Sequence, residues 1–160
     1  MRVEQLMMKQ VQTCRPEDSL ECAAQLMWDY DCGSLPVCSG DGPSKAVGMI
    51  TDRDIAMCAM FHPKPLRELP VSEAMARNLR VCRPTDLVED AESVMRDAQV
   101  RRLPVVDSDG HVVGMISLAD LAREAARECA PGASKDITET QVGDTLAAIC
   151  ESPTRRLAAA

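Results

Sequence analysis

GMITDRDI (48–55) and GMISLADL (114–121) are one phrase written twice in a single chain. Each runs Gly-Met-Ile, a hydroxyl residue, two variable positions, then Asp and an aliphatic. An apolar run that ends in Thr or Ser, with an acid three residues on, reads as a strand entering a helix. Thr51 with Asp54, and Ser117 with Asp120, form a capping-box pattern in which hydroxyl and carboxylate each satisfy a backbone N–H that the helix start leaves unpaired. The same constellation also suits a ligand. A helix N-terminus attracts phosphate, and a carboxylate one turn on accepts from paired hydroxyls. Capping and binding are compatible, since a cap can yield its hydroxyl to a ligand.

Working outward, the phrase sits in a repeat of the whole chain. Shifted by 68 residues, VEQLM (3–7) meets VSEAM (71–75), TCRPEDSLECA (13–23) meets VCRPTDLVEDA (81–91), and SLPV (34–37) meets RLPV (102–105). Between 3–38 and 71–106, 13 of 36 positions are identical. The offset then drops to 66, because the first copy carries two extra residues near Pro43 and Ser44, and AVGMITDRDIA meets VVGMISLADLA. The repeat is about 67 residues long and occurs twice, covering about 1–126.

Each copy predicts helix, strand, helix, strand, strand, helix. A short helix places Val3 and Met7, or Val71 and Met75, on one face. An extended piece follows and stops at Pro16 or Pro84. The main helix carries a buried stripe of Leu20, Ala23, Ala24 and Met27, matched by Val88, Ala91 and Met95. Asp18 with Glu21, and Asp86 with Glu89, read as its capping boxes. Two strands then flank a Gly/Asp turn, and the last helix buries Ile55, Met57 and Met60, or Leu121 and Ala125. Met49 and Met115 read as packing residues. This is an α/β (α+β) fold of two repeats, each with a small three-stranded sheet. Units of about 60 residues are marginal alone, so the copies are expected to pack sheet against sheet about a pseudo-two-fold. The expected boundaries are 1–66 and 67–128. Residues 129–160 read as a polar linker or arm, in which DTLAAICE (144–151) forms one or two helical turns and RRLAAA (155–160) frays.

Composition removes several function classes. The net charge is −7 and the pI about 4.8, whereas duplex nucleic-acid binders carry a basic stripe. Aromatics amount to 2%, namely Trp28, Tyr30 and Phe61, too few for a base-stacking platform. No long apolar run predicts a membrane span, and the N-terminus does not read as a secretory signal, so a cytoplasmic location is expected. The eight Cys (14, 22, 32, 38, 58, 82, 129, 150) include no C-x-x-C pair, and the two His, 62 and 111, read as surface loop residues. The sequence therefore predicts no metal site and no nucleophile–base pair. The thiols are expected to be small buried hydrophobes, with Cys32 and Cys38 the best redox exception.

The ordered set V-x-x-x-M, R-P-x-D, L-P-V, D-x-D-G in copy two, and G-M-I-[TS]-x-x-D, present twice, resembles a cystathionine-β-synthase (CBS) domain pair, or Bateman module. The resemblance implies a regulatory module rather than an enzyme. It implies clefts between the copies that bind an adenosine-type ligand, AMP or ATP first, with S-adenosylmethionine or NAD also open, and no required cofactor. It implies assembly as a homodimer and an effector protein whose identity the sequence does not give. Carried over residue by residue, one site comprises Val11 and Thr13 beside adenine, Leu35 and Pro36 opposite, and Thr51, Arg53 and Asp54. The other comprises Leu79, Val81, Arg102, Leu103, Pro104, Ser117 and Asp120. The copies differ where phosphate would be read. Copy one has Arg53 but Ser34, and copy two has Arg102 but Ala119. Site one is expected to be the tighter. The alternative is a ligand-independent dimerisation or scaffold module with degenerate sites.

Overall fold

The computed structural model describes residues 1–40, 45–129 and 136–151. The two-residue insertion near Pro43 and Ser44, the start of the arm and the 155–160 end lie outside the described residues. The chain divides into two compact units. One holds Met1–Lys9, Arg80–Val105 and the chain from Gly114; the other holds Gln10–Leu79 and Val106–Val113. The opening helix of each repeat thus folds with the strands of the other repeat.

In the Gln10–Leu79 unit, helix α2 (Leu20–Asp29) leads to strands β1 (Ser34–Ser39) and β2 (Lys45–Thr51), then to helix α3 (Asp52–Phe61). A 3-10 turn, Leu66–Glu68, precedes the short helix α4 (Val71–Ala74). β1 and β2 pair antiparallel, Ser34 opposite Thr51 and Leu35 opposite Ile50, with a bulge between Val37 and Cys38. The expected third strand is reduced to a single parallel bridge, Cys14 to Val37. Pro16 cannot donate to a ladder and ends the pairing early. The core gathers Leu20, Ala23, Met27, Leu35, Val37, Ile50, Leu69 and Val71. Burying each large side chain here contributes roughly 1.5–3 kcal/mol.

The second unit repeats this plan. Helix α1 (Val3–Leu6) belongs here, with α5 (Val88–Ala98), β3 (Arg102–Val106), β4 (Val112–Ser117) and α6 (Leu118–Glu128). β3 pairs with β4 in a two-stranded sheet, and Cys82 bridges Val105 in parallel. Val3 N–H donates to Asp86 O at 3.0 Å, just as Val71 N–H donates to Asp18 O at 2.8 Å. Val3 and Val71 are both fully buried.

The Gly of the repeated phrase is explained by this exchange. The backbone after α4 crosses β2, where Met49 and Ala76 exchange N–H···O bonds of 3.0 and 2.8 Å. A Cβ on Gly48 would lie 2.7 Å from Ala76 O. The backbone after α1 crosses β4 in the same way through Met8 and Met115, at 2.8 and 2.9 Å. A Cβ on Gly114 would meet Met7 Sδ at 2.7 Å and Met8 O at 3.0 Å.

Three further expectations change. Asp18 and Asp86 are not caps: each carboxylate folds back to accept from the backbone N–H of Arg15 or Arg83, both at 2.7 Å. This local bond competes with capping, and α2 is capped instead by Ser19, which accepts from Cys22 N–H at 3.2 Å. Leu87 precedes α5 without a side-chain cap. Met57 and Met60 are 42% and 73% exposed, because α3 turns Ile55 and Cys58 inward. The arm forms a full helix, α7 (Glu139–Cys150), capped by Thr138 and packed on α5 and α6. Among the described residues no helix is long and apolar enough to cross a membrane.

Candidate functional site

Both copies of the phrase end in a closed capping box. Thr51 Oγ1 accepts from Asp54 N–H at 3.1 Å, while Asp54 Oδ2 accepts from Thr51 N–H at 2.9 Å and from the Thr51 hydroxyl at 2.7 Å. Ser117 Oγ accepts from Asp120 N–H at 3.3 Å, and Asp120 Oδ2 accepts from Ser117 N–H at 2.8 Å and the Ser117 hydroxyl at 2.6 Å.

The second carboxylate oxygen separates the copies. Arg123 donates to Asp120 Oδ1, and Asp120 is buried to 8% exposure. At the position of Arg123, copy one has Met57. Asp54 is half-buried, and its Oδ1 has no hydrogen-bond donor among the described residues. Arg53 is exposed. Sequence spacing could have revealed Arg123, which stands three residues after Asp120 and so on the same helix face.

The start of α3 offers fewer free donors than a bare helix end. Asp52 N–H donates to Gly33 O at 3.2 Å, Arg53 N–H to Asp52 Oδ1 at 2.7 Å, and Asp54 N–H to Thr51. A phosphate would have to displace at least one of these. At α6, Leu118 N–H donates to Arg101 O at 2.9 Å.

Of the remaining site residues, Thr13 and Val81 lie on backbone next to β1 and β3. Cys14 N–H donates to Pro36 O at 3.1 Å, which sets Thr13 beside Pro36 on β1, and Ser34 pairs with Thr51 at the far end of that strand. Thr13 is exposed and Val11 half-buried. Leu35 and Leu103 are core side chains at 1% and 0% exposure, and Pro36 and Pro104 are buried. At these positions only backbone is left for a ligand to touch. Cys82 N–H donates to Pro104 O at 3.1 Å, placing exposed Val81 next to β3. Arg102 is exposed at the start of β3, and Leu79 is half-buried in the Gln10–Leu79 unit. A cavity of about 270 Å³ adjoins the first turn of α3 and is lined by Ala24, Met27, Trp28, Cys32, Asp52 and Ile55. None of the expected site residues lines it.

Cys14, Cys38, Cys58 and Cys82 are buried as small core residues, whereas Cys22, Cys129 and Cys150 are exposed and Cys32 is half-buried, so the expectation holds for half of the thiols. Burial pushes Cys14 and Cys82 up to about 12, with Asp18 and Asp86 adding to it. Cys38 is raised by burial as well. Cys32 and Cys38 are not joined in a disulfide. The two His are not isolated loop residues. His111 Nδ1 lies 3.1 Å from Asp107 Oδ2, and His62 lies against Cys58 and Glu73. Each first partner stands four residues earlier, a spacing visible in the sequence.

Residues 3–60 and 71–127 each match the family model described as CBS domain. The CBS domain-containing protein YhcV of Bacillus subtilis is 36% identical over 141 residues, 88% of this chain and 97% of that protein. Inosine-5'-monophosphate dehydrogenase of Thermoplasma acidophilum is 30% identical over 84% of this chain, but the match spans 25% of the enzyme. The CBS domain pair of protein MJ0100, solved with 5'-methylthioadenosine and S-adenosyl-L-methionine, superposes with a TM-score of 0.68 at 27% identity, covering 78% of this chain and 98% of that one.

Proposed function

Because this chain belongs to the CBS domain family, carrying two copies of the domain, we propose that it is a regulatory module that senses an adenosine-type ligand, and that the site around Asp54 is the stronger of two. The observation that carries this reading is the unengaged Oδ1 of Asp54 beside exposed Arg53. A carboxylate oxygen with no donor can accept a ribose hydroxyl without breaking the cap, and a guanidinium can take phosphate in a bidentate fork. Asp120 would first have to give up Arg123. The adenosine ligands of the MJ0100 pair support the ligand class. In the dehydrogenase the matching stretch is a minor part of an enzyme, which supports a regulatory rather than catalytic role here.

Trp28, Met60 and Phe61, exposed at 84%, 73% and 69% on α2 and α3, support self-association as the form in which the module works. Ligand binding has a regulatory output only where it favours one conformation or assembly over another.

A ligand-independent scaffold is the second reading, favoured by the bonded N–H groups at the start of α3. Thermal unfolding with AMP, ATP, S-adenosylmethionine and NAD separates the two. A ligand that binds the fold adds about 2.7 kcal/mol of stability by linkage at a hundredfold excess over Kd, and so raises the midpoint. A rise with one or more of the four supports sensing, and four flat responses support the scaffold.

A further inference from the structure

The geometry points to a divalent metal site, suited to zinc, formed by Cys58, His62 and Glu73. Cys58 and His62 stand one turn apart at the end of α3, and Glu73 lies on α4. Their sulfur, imidazole nitrogen and carboxylate oxygen lie within 4.8 Å of one another. Cys58 Sγ is 3.5 Å from His62 Nδ1, and His62 Nε2 is 3.9 Å from Glu73 Oε2.

The tautomer fixes what the imidazole can do. His62 Nδ1 lies 2.9 Å from Cys58 O. A carbonyl oxygen only accepts, so Nδ1 carries the proton and donates. Metal-binding imidazoles are oriented in this way, with one nitrogen donating to a backbone carbonyl and the other free for the ion. The bond also caps the end of α3, but capping uses Nδ1 alone. It leaves Nε2 and a carboxylate oxygen facing each other as two acceptors, an arrangement that calls for a cation or a proton between them.

The donor set selects the ion. Thiolate, imidazole and carboxylate together suit zinc, with ligand distances of about 2.0–2.3 Å and water completing a tetrahedron. The His62 and Glu73 side chains are each 45% exposed and can close the remaining gap, while Cys58 is buried at 8%. Binding replaces the thiol proton by the metal, releasing one proton to solvent. Burial and the nearby Glu73 carboxylate both push the thiol up, and a metal cation at this point would offset both.

The repeat supplies an internal control. The positions matching Cys58, His62 and Glu73 hold Glu124, Glu128 and Gln5, and Glu128 accepts from Ile137 N–H at 2.7 Å. The fold therefore does not require this trio. Asp107, Asp109 and His111 also cluster, but Asp107 is already saturated by the N–H groups of Asp109 and His111 and by the His111 ring.

Cobalt titration of the reduced, chelator-stripped full chain tests the site, because only a thiolate ligand gives a sulfur-to-cobalt charge-transfer band. One equivalent is expected to produce the band, zinc to bleach it, and Cys58→Ser to abolish it while Cys129→Ser retains it. Cys58 is buried, so the surface variants His62→Ala and Glu73→Gln guard against misfolding. Each is expected to weaken cobalt binding at least tenfold with an unchanged circular dichroism spectrum. Absence of the band in the wild type overturns the proposal. So does a band that survives Cys58→Ser, or one indifferent to both His62→Ala and Glu73→Gln.

Discussion

Gly48 and Gly114 have matching roles but unequal surroundings. The atom nearest a Cβ at Gly48 is the backbone oxygen of Ala76, whereas at Gly114 it is the flexible Met7 side chain. Gly48→Ala is therefore expected to cost about 1–3 kcal/mol, as overpacking does, and Gly114→Ala less. Chemical denaturation of the two variants reads the difference directly. Glu92 presents the opposite case. It is 3% exposed, and its Oε1 has no hydrogen-bond partner among the described residues. Burial raises its pKa, against the pull of the Arg96 charge and of a hydrogen bond with Thr145. For an acid raised in the folded state, the stability it contributes is present below the unfolded carboxylate pKa and is lost as pH rises through the folded value. Glu92→Gln is thus expected to stabilise at neutral pH, on the order of 1 kcal/mol. Denaturation midpoints across pH should show the gain shrinking as pH falls through the carboxylate range. The role of Gly48 was hidden in the sequence, because the backbone it admits arrives from the other repeat. The Thr51–Asp54 and Ser117–Asp120 boxes were legible, because both partners lie within four residues.

The elements were legible wherever periodicity was strong. The stripes Leu20–Ala23–Met27 and Val88–Ala91–Met95 are buried as the spacing demands, while Ala24, expected in the first stripe, is only half-buried. The strand expected before each R-P-x-D shrinks to a single bridge, since Pro leaves room for no more. The full length of α7 is not legible in the arm, because its apolar positions make sense only against α5 and α6. Arg96 donates to Thr145 Oγ1 at 3.2 Å, and Gln99 Nε2 donates to Ala148 O and Glu151 O at 3.2 and 2.7 Å. Gln99→Ala removes two of these ties and is expected to raise amide exchange in α7 roughly thirtyfold, each net hydrogen bond being worth about 1 kcal/mol. Exchange in α2 should not change. An α7 that exchanges at the wild-type rate would mean that Ile137 and Ile149, both buried, hold the helix without help.

At the scale of the whole chain, duplication has kept the architecture and let the chemistry drift. Both copies retain the strand, the cap and the crossing that needs Gly. Only copy two has Arg123 on its acid, and only copy one has Cys58 and His62 at the other end of the same helix. The Cys58–His62 pair was within reach of sequence reading, but Glu73 was not, since the path through Leu66–Glu68 decides where α4 lands. The central claim is that the two acids are unequal as ligand groups. Calorimetric titration of AMP and S-adenosylmethionine into the wild type, Asp54→Asn and Asp120→Asn tests it most directly, because Asn keeps an acceptor for the cap. The account predicts that Asp54→Asn weakens the tighter binding event at least tenfold, about 1.4 kcal/mol, while Asp120→Asn leaves that event within a factor of about three. Equal losses in the two variants, or unchanged affinity in Asp54→Asn, would contradict it.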